Sequence, residues 1–425
     1  MPSEQNALSQ LSTSIHSNDA ANVRRVLASN PHLDLNAPLP DTAFGSTALL
    51  EAVSHHNLAI IDALLDAGAD PNARSGWWAG SFGVLDTCAP DLAPHLISRG
   101  ATVTAHSAAR LNMPDVLKSL ISADPSLVHS RGGDGQTPLH FAATTEIADL
   151  LIDAGADINA RDVDHESTPA MWMIRDRTEV ARHLVGLGCE TDLLLAAALG
   201  DMALVQKQLA ESPDSIRLTV RDEHFPRKNP RAASTIYVWT LGPGQTPHRV
   251  AHAFGHREVA QYLLQHSPPE MQFVAACQIG DEATVKRLLL ENPSAVKSLT
   301  SDDLWHLGSA ARDNDLEPVR LMLASGFPVD SRGPYGGTAL HWSAWHGNLE
   351  AVRAILSYKP DLNNTKNDFN ASPLGWALHG SQNSWLRKTG KYPEVVKSLL
   401  DAGAKTPEVL NNSTLDPEIL KVLRR

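Results

Sequence analysis

Cysteine is scarce in this chain: Cys88, Cys189 and Cys277 are the three among 425 residues. An odd number, spread so far apart, does not make a disulfide framework. It fits buried, reduced thiols and a cytoplasmic protein. Long apolar runs are missing as well. None approaches the roughly 20 residues of a membrane span, so no membrane-crossing helix and no membrane partner are expected. The opening Met1-Pro2-Ser3-Glu4-Gln5-Asn6 is polar and acidic, unlike a secretory leader. Basic residues are outnumbered, 36 against 48 acidic ones, for a formal charge of −12. A nucleic-acid grip needs a basic face, so this balance argues against a phosphate-backbone partner. Catalytic signatures are also lacking. No G-x-S-x-G, no G-x-x-x-x-G-K-[ST] and no H-E-x-x-H occurs, and Gly242-Pro243-Gly244 is too short and proline-broken for a dinucleotide fingerprint. No cofactor is expected.

What the chain does contain is repetition. Thr137-Pro138-Leu139-His140-Phe141-Ala142-Ala143 is followed by Leu150-Leu151-Ile152-Asp153-Ala154-Gly155-Ala156-Asp157-Ile158-Asn159-Ala160. Gly337-Thr338-Ala339-Leu340-His341-Trp342-Ser343-Ala344 repeats the first half. Leu64-Leu65-Asp66-Ala67-Gly68-Ala69-Asp70-Pro71-Asn72 and Leu399-Leu400-Asp401-Ala402-Gly403-Ala404 repeat the second. A T-P-L-H-x-A-A start and an L-L-x-x-G-A-D-x-N end, at a period near ~33 residues, resembles the ankyrin repeat. The local chemistry agrees. Proline in the first helical turn needs no partner for its missing N–H, small alanines let helices approach, and a glycine permits a left-handed cap.

The resemblance implies an all-α ankyrin-repeat solenoid, because one unit cannot bury its apolar face alone. Matching helix pairs to the template predicts about twelve units, several degenerate. They run over 7–40, 45–74, 81–102, 103–130, 135–161, 166–190, 191–218, 244–268, 270–298, 303–330, 337–365 and 371–404. Residues 1–404 are read as one continuous solenoid and 405–425 as a C-terminal cap. Two insertions, 219–243 and 381–392, break the period; loops this long are usually functional or disordered. The aromatic, β-prone second half of the first favours order. Both are expected to project as lobes that close one end of a groove.

In this family the positions after Ala-Ala point to the concave face, where binding specificity lies. They carry Trp345 and His346, Thr144 and Thr145, Arg175 with Asp176, and His379. Glu51, Phe141, Trp172, Trp342 and Trp376 fall at the edge of that face, and the fingers add Trp77, Trp78 and His165. With Trp239 and Trp385 in the insertions, most of the nine tryptophans map to positions the family leaves open to solvent. Clustered aromatics on exposed positions mark a binding site.

Titratable groups add a second reading. His346 and His379 lie beside Trp345 and Trp376, where desolvation would lower their pKa toward use as a base. Asp164, His165 and Glu166 bunch two carboxylates and an imidazole on one finger, with Glu51 as a long-range partner. His248 and His252, four apart, share a helical face and could hold a metal. No third ligand follows at metal spacing, so a hydrogen-bonded pair is expected and no metal site is assigned; His252 is kept as a ligand contact.

Two functions follow. One is a non-enzymatic binder that grips a protein, a peptide or a compact organic ligand in an aromatic, histidine-rich groove. The other is a small-molecule enzyme of hydrolase, lyase or isomerase type, working by general acid–base action of His346, His379, Asp164 and Glu166.

Overall fold

The computed structural model describes residues 4–406 and 415–424. Among them every regular element is helical; two isolated bridges, Pro38 with Thr47 and Arg332 with Thr338, mark finger turns. Helix pairs recur along the chain, from Glu4–His16 with Ala20–Ser29 to Pro373–Asn383 with Tyr392–Asp401. The fold is the all-α ankyrin solenoid that the repeats imply. The chain groups into two compact units. One holds Met1–Leu199 and Thr219–Pro243; the other holds Gly200–Leu218 and Gly244–Arg425.

In both units the core is built from the same three positions of the template. The alanines of the first helices are fully buried at Ala52, Ala109, Ala197, Ala276 and Ala344. The leucine pairs of the second helices face inward at Leu64, Leu151 and Leu399. The T-P-L-H histidine closes the turn. His341 Nδ1 accepts from the Thr338 backbone N–H at 3.2 Å, and its Nε2 donates to the Asn364 and Ala371 carbonyls across the finger at 3.0 and 3.2 Å. His140 repeats this with Thr137 and the Ser167 carbonyl. These histidines bridge one repeat to the next and are buried as neutral rings. Desolvation holds His140 down to about 3 and His341 to about 4.

The repeat at 135–161 departs from the template. From His341 to the second helix there are eight residues; from His140 there are five, because no Gly-Asn-type turn follows Ala143. The chain compensates by keeping the first element to a short 3₁₀ turn, Pro138–Phe141. Thr144, expected on the concave face, instead caps the next helix by accepting from the Ile147 N–H at 3.3 Å. Ala143 is half-buried, outside any helix, while Ala344 is fully buried between helices. A leucine at Ala344 is therefore expected to overpack and cost ~1–3 kcal/mol. At Ala143 it should cost under ~0.5 kcal/mol, the range of ordinary surface changes. Urea midpoints of the two variants test this; equal shifts would show that the two repeats do not differ as described.

The three cysteines are free and buried, and desolvation raises each thiol pKa, to about 11 for Cys189 and about 12 for Cys277. Among the described residues no helix is long and apolar enough to cross a membrane. In the stretch expected to cap the C-terminus, Pro417–Leu423 is a helix that packs on Tyr392–Asp401 with Ile419 buried. Residues 407–414 and 425 of that stretch lie outside the described residues.

Candidate functional site

The last two repeats of the second unit present a cleft of about 400 Å³ lined mainly by rings. Its walls follow from helical spacing. Trp342 and Trp345 are three apart on Ala339–Trp345, and Trp376 and His379 are three apart on Pro373–Asn383, so each pair shares a face. The two helices are the first helices of neighbouring repeats. Gly380 allows their approach: a Cβ there would stand 2.2 Å from the Trp345 carbonyl oxygen. The 381–392 insertion then folds back over Ala339–Trp345. Its Lys391 N–H donates to the Gly347 carbonyl at 2.8 Å, and the Tyr392 hydroxyl donates to the Trp345 carbonyl at 2.9 Å. This return brings Trp385 to the rim.

The rings contact one another in an unbroken series. Trp342 meets Trp376 edge-on at 5.0 Å, Trp345 meets Trp376 at 6.3 Å, and Trp385 stands 6.2 and 6.3 Å from Trp342 and Trp345. The fingers contribute Tyr335 and Phe369, which are 5.9 Å apart. Trp342 and Trp376 are buried, Trp345 is half-buried, and Trp385 and Phe369 are exposed at 58% and 61%. The cleft thus has a packed floor and an open aromatic rim. Trp342 Nε1 donates to the Pro334 carbonyl at 3.2 Å, whereas the buried Nε1 atoms of Trp345 and Trp376 have no hydrogen-bond acceptor.

His346 lies beneath Trp385, 4.9 Å ring to ring, and is 2% exposed. Its Nε2–H donates to the Arg312 carbonyl at 2.8 Å, which leaves Nδ1 to accept from the Ser384 hydroxyl at 3.3 Å. Burial, with the Arg312 charge adding, pushes its pKa down to about 4. With both nitrogens engaged, the ring ties the insertion to the preceding repeat and is positioned too deep to act as a base near neutrality. That corrects the role read from its sequence position. His379 is exposed on the cleft wall, 5.4 Å from the Trp345 ring, with Nδ1 3.3 Å from Asn383 Nδ2.

The sequence-derived site residues of the first unit have mostly structural partners. The finger 162–167 clamps the 219–243 insertion. The Glu166 carboxylate accepts the Lys228 and Asn229 N–H groups at 2.8 and 2.7 Å, the Asp164 carbonyl accepts from Ala233, and His165 Nδ1 bonds the Ser234 carbonyl at 2.8 Å. Trp172 donates to Asp162 at 3.2 Å and packs on His165. Arg175 Nε donates to the Thr240 carbonyl at 2.5 Å. The second half of the insertion packs into the unit: Tyr237 is buried and donates to Asp192 at 3.0 Å. Trp77 packs edge-on against Phe44 at 4.8 Å, Trp78 carries the Arg231 guanidinium at 4.5 Å, and Trp239 is 71% exposed. Glu51 sits 3.5 Å from His16.

Asp164 and Glu166 therefore fall in one unit and His346 and His379 in the other. In neither unit do the four acid–base candidates assemble among themselves. His252 and His248 do not share a ligand either. His248 is buried against the Ser267 hydroxyl at 2.7 Å, and His252 Nε2 stands 3.5 Å from Asp315. Burial would raise the Asp315 pKa, but the His252 contact and the Arg249 guanidinium outweigh it and bring it to about 2.

Arg312 packs against two of the cleft's rings, and sequence reading passed over it. Its guanidinium lies 5.9 Å from the Trp342 and Trp385 rings, within cation–π range. It follows Ala310-Ala311 as Trp345 follows Ser343-Ala344, so the same positional rule points to it.

The ankyrin-repeat family models match residues 44–76, 105–195, 273–368 and 307–409. The chain is 23% identical over 324 residues to the ankyrin repeat domain-containing protein SAT10 of Stachybotrys chartarum, covering 68% of this chain and 16% of that protein. It is 36% identical over 69 residues to the serine/threonine-protein kinase VIK of Arabidopsis thaliana, covering 16% of this chain and 15% of that one. It spans about a sixth of the length of these curated relatives. Among solved structures, the complex of the Bdellovibrio bacteriovorus endopeptidase Bd0816 with immunity protein Bd3460 aligns at 24% identity, over 42% of this chain and 97% of that one, with a TM-score of 0.28. The repeats, their helix pairs and the matched residues agree, and the chain belongs to the ankyrin-repeat family.

Proposed function

We propose that the chain is a protein-binding module whose aromatic cleft receives an extended segment of a partner, one that carries an apolar ring side chain, proline or aromatic. Ankyrin repeats imply a protein-interaction role. The observation that carries the finer reading is the apolar cleft itself, lined by Tyr335, Trp342, Trp345, Phe369, Trp376 and Trp385. The rings of an extended ligand would fill the space between the tryptophans. Aromatic grooves recognise preformed, proline-rich segments on this principle. A volume of about 400 Å³ suits one or two large side chains, and the exposed Trp385 and Phe369 supply the rim.

Binding is favoured over acid–base catalysis because His346 has no free nitrogen and no carboxylate lines the cleft. Trp78 and Trp239 of the first unit are proposed as further contacts. Selection of a random peptide library on the immobilised protein tests the reading. Enrichment of proline or aromatic residues, abolished in Trp345→Ala, is expected. Equal enrichment on Trp345→Ala, or binding of compact organic compounds with no peptide enriched, would overturn it.

A further inference from the structure

We propose that His16, Glu51 and His55 form a site for a divalent transition-metal ion, with zinc the ion its donors suit best. The first helices of the first two repeats, Glu4–His16 and Ala48–Ser54, pack side by side. His16 is the last residue of the first, His55 caps the C-terminus of the second, and Glu51 lies one turn before His55 on the same face. One ligand atom from each of the three side chains lies within 4.8 Å of the others. The imidazoles stand 5.4 Å apart at 89°, edge to face.

Hydrogen bonding points His16 at its neighbours in a particular state. Its Nδ1 lies 2.9 Å from the Ser12 carbonyl oxygen, which can only accept, so Nδ1 carries the hydrogen. In the neutral ring Nε2 then holds a lone pair, and it faces Glu51 Oε2 at 3.5 Å. A lone pair opposite a carboxylate calls for a cation between them. A ligating histidine is typically held in this way, with its other nitrogen donating to a backbone carbonyl. Both helices also end here, so their carbonyl termini favour positive charge. Two imidazole nitrogens and a carboxylate oxygen match a three-ligand zinc site with water in the fourth position. The half-exposed His16 leaves the site open to entry from solvent. The bound ion would clip the first repeat to the second and stabilise the folded chain by mass action.

Cobalt(II) titration of the full chain is the test, read by visible absorption and followed by displacement with zinc. The expected result is one saturable tetrahedral cobalt signal that zinc abolishes. Glu51→Gln and His55→Ala should each weaken binding by at least about tenfold, the smallest loss seen when even a group that orients a ligand is removed. His129→Ala, an exposed histidine elsewhere in the same unit, should leave it unchanged. Circular dichroism confirms that each variant is folded. No saturable tetrahedral signal, or equal affinity in all variants, would overturn the site.

Discussion

Lowering the pH from 7 to 5 is expected to destabilise the second unit by about 6 kcal/mol, and the first by much less. The second unit buries three neutral histidines, His248, His341 and His346, each with its pKa pushed down to about 4 chiefly by desolvation. An unfolded histidine titrates near ~6.5. Below that value the unfolded chain binds protons that the folded chain refuses, so stability present above ~6.5 is lost progressively as pH falls toward 4. At pH 5 each ring forfeits roughly 2 kcal/mol, and three together approach the whole stability of a typical domain. In the first unit His140, held to about 3, acts in the same direction, as does His106. Asp134 acts in the opposite one. Burial, then the nearby Asp164 charge, raises it to about 6, so its folded form gains a proton, and stability, as pH falls through 6. Burial also raises Asp162 and Asp192 of the same unit. Hydrogen exchange at pH 7 and pH 5, resolved by peptide, checks this. Protection should collapse over 247–401 while most of 48–199 keeps it; equal losses would mean the buried histidines do not govern acid stability.

Trp376→Ala should cost about 3–5 kcal/mol of stability, whereas Trp385→Ala should cost under about 1 kcal/mol. The two side chains line one cleft but differ in burial. Trp376 is 4% exposed and meets the rings of His341, Trp342, Trp345 and Phe369. Its removal leaves a cavity between two repeats and strips the packing from the bridging His341. Trp385 is 58% exposed and covers His346 from outside. Urea unfolding with unchanged slope separates the cases. The contrast bears on the proposed function: the floor tryptophan is a structural wall, while the rim tryptophan can be altered with the fold intact, so its removal tests binding alone.

The fold was legible because an ankyrin repeat spends its sequence on local rules. Thr-Pro starts, alanine contacts and leucine pairs recur at matching offsets, and the helices fall where they place them. The cleft was partly legible for the same reason. Positions after Ala-Ala converge once repeats stack, and the structure brings Trp345, His379, Trp376 and Trp385 around one volume. The states of the polar groups were not legible. Whether His346 is free depends on the Arg312 carbonyl and the Ser384 hydroxyl, 34 and 38 residues away. That Glu166 holds backbone N–H groups depends on the path of an insertion 62 residues later. The His16–Glu51–His55 cluster shows only a weak i, i+4 signal within one helix; its third member comes from another repeat.

The central claim, that the cleft of the last two repeats is the binding site, is tested most directly by the indole N–H resonances of ¹⁵N-tryptophan-labelled protein titrated with a library-selected peptide. Trp345 and Trp385, half-buried and exposed at the cleft, should shift on binding, while buried Trp342, already bonded to the Pro334 carbonyl, should move little. If the Trp345 and Trp385 signals stay fixed while those of Trp77, Trp78 or Trp239 shift, the partner is held by the first unit and the account is contradicted.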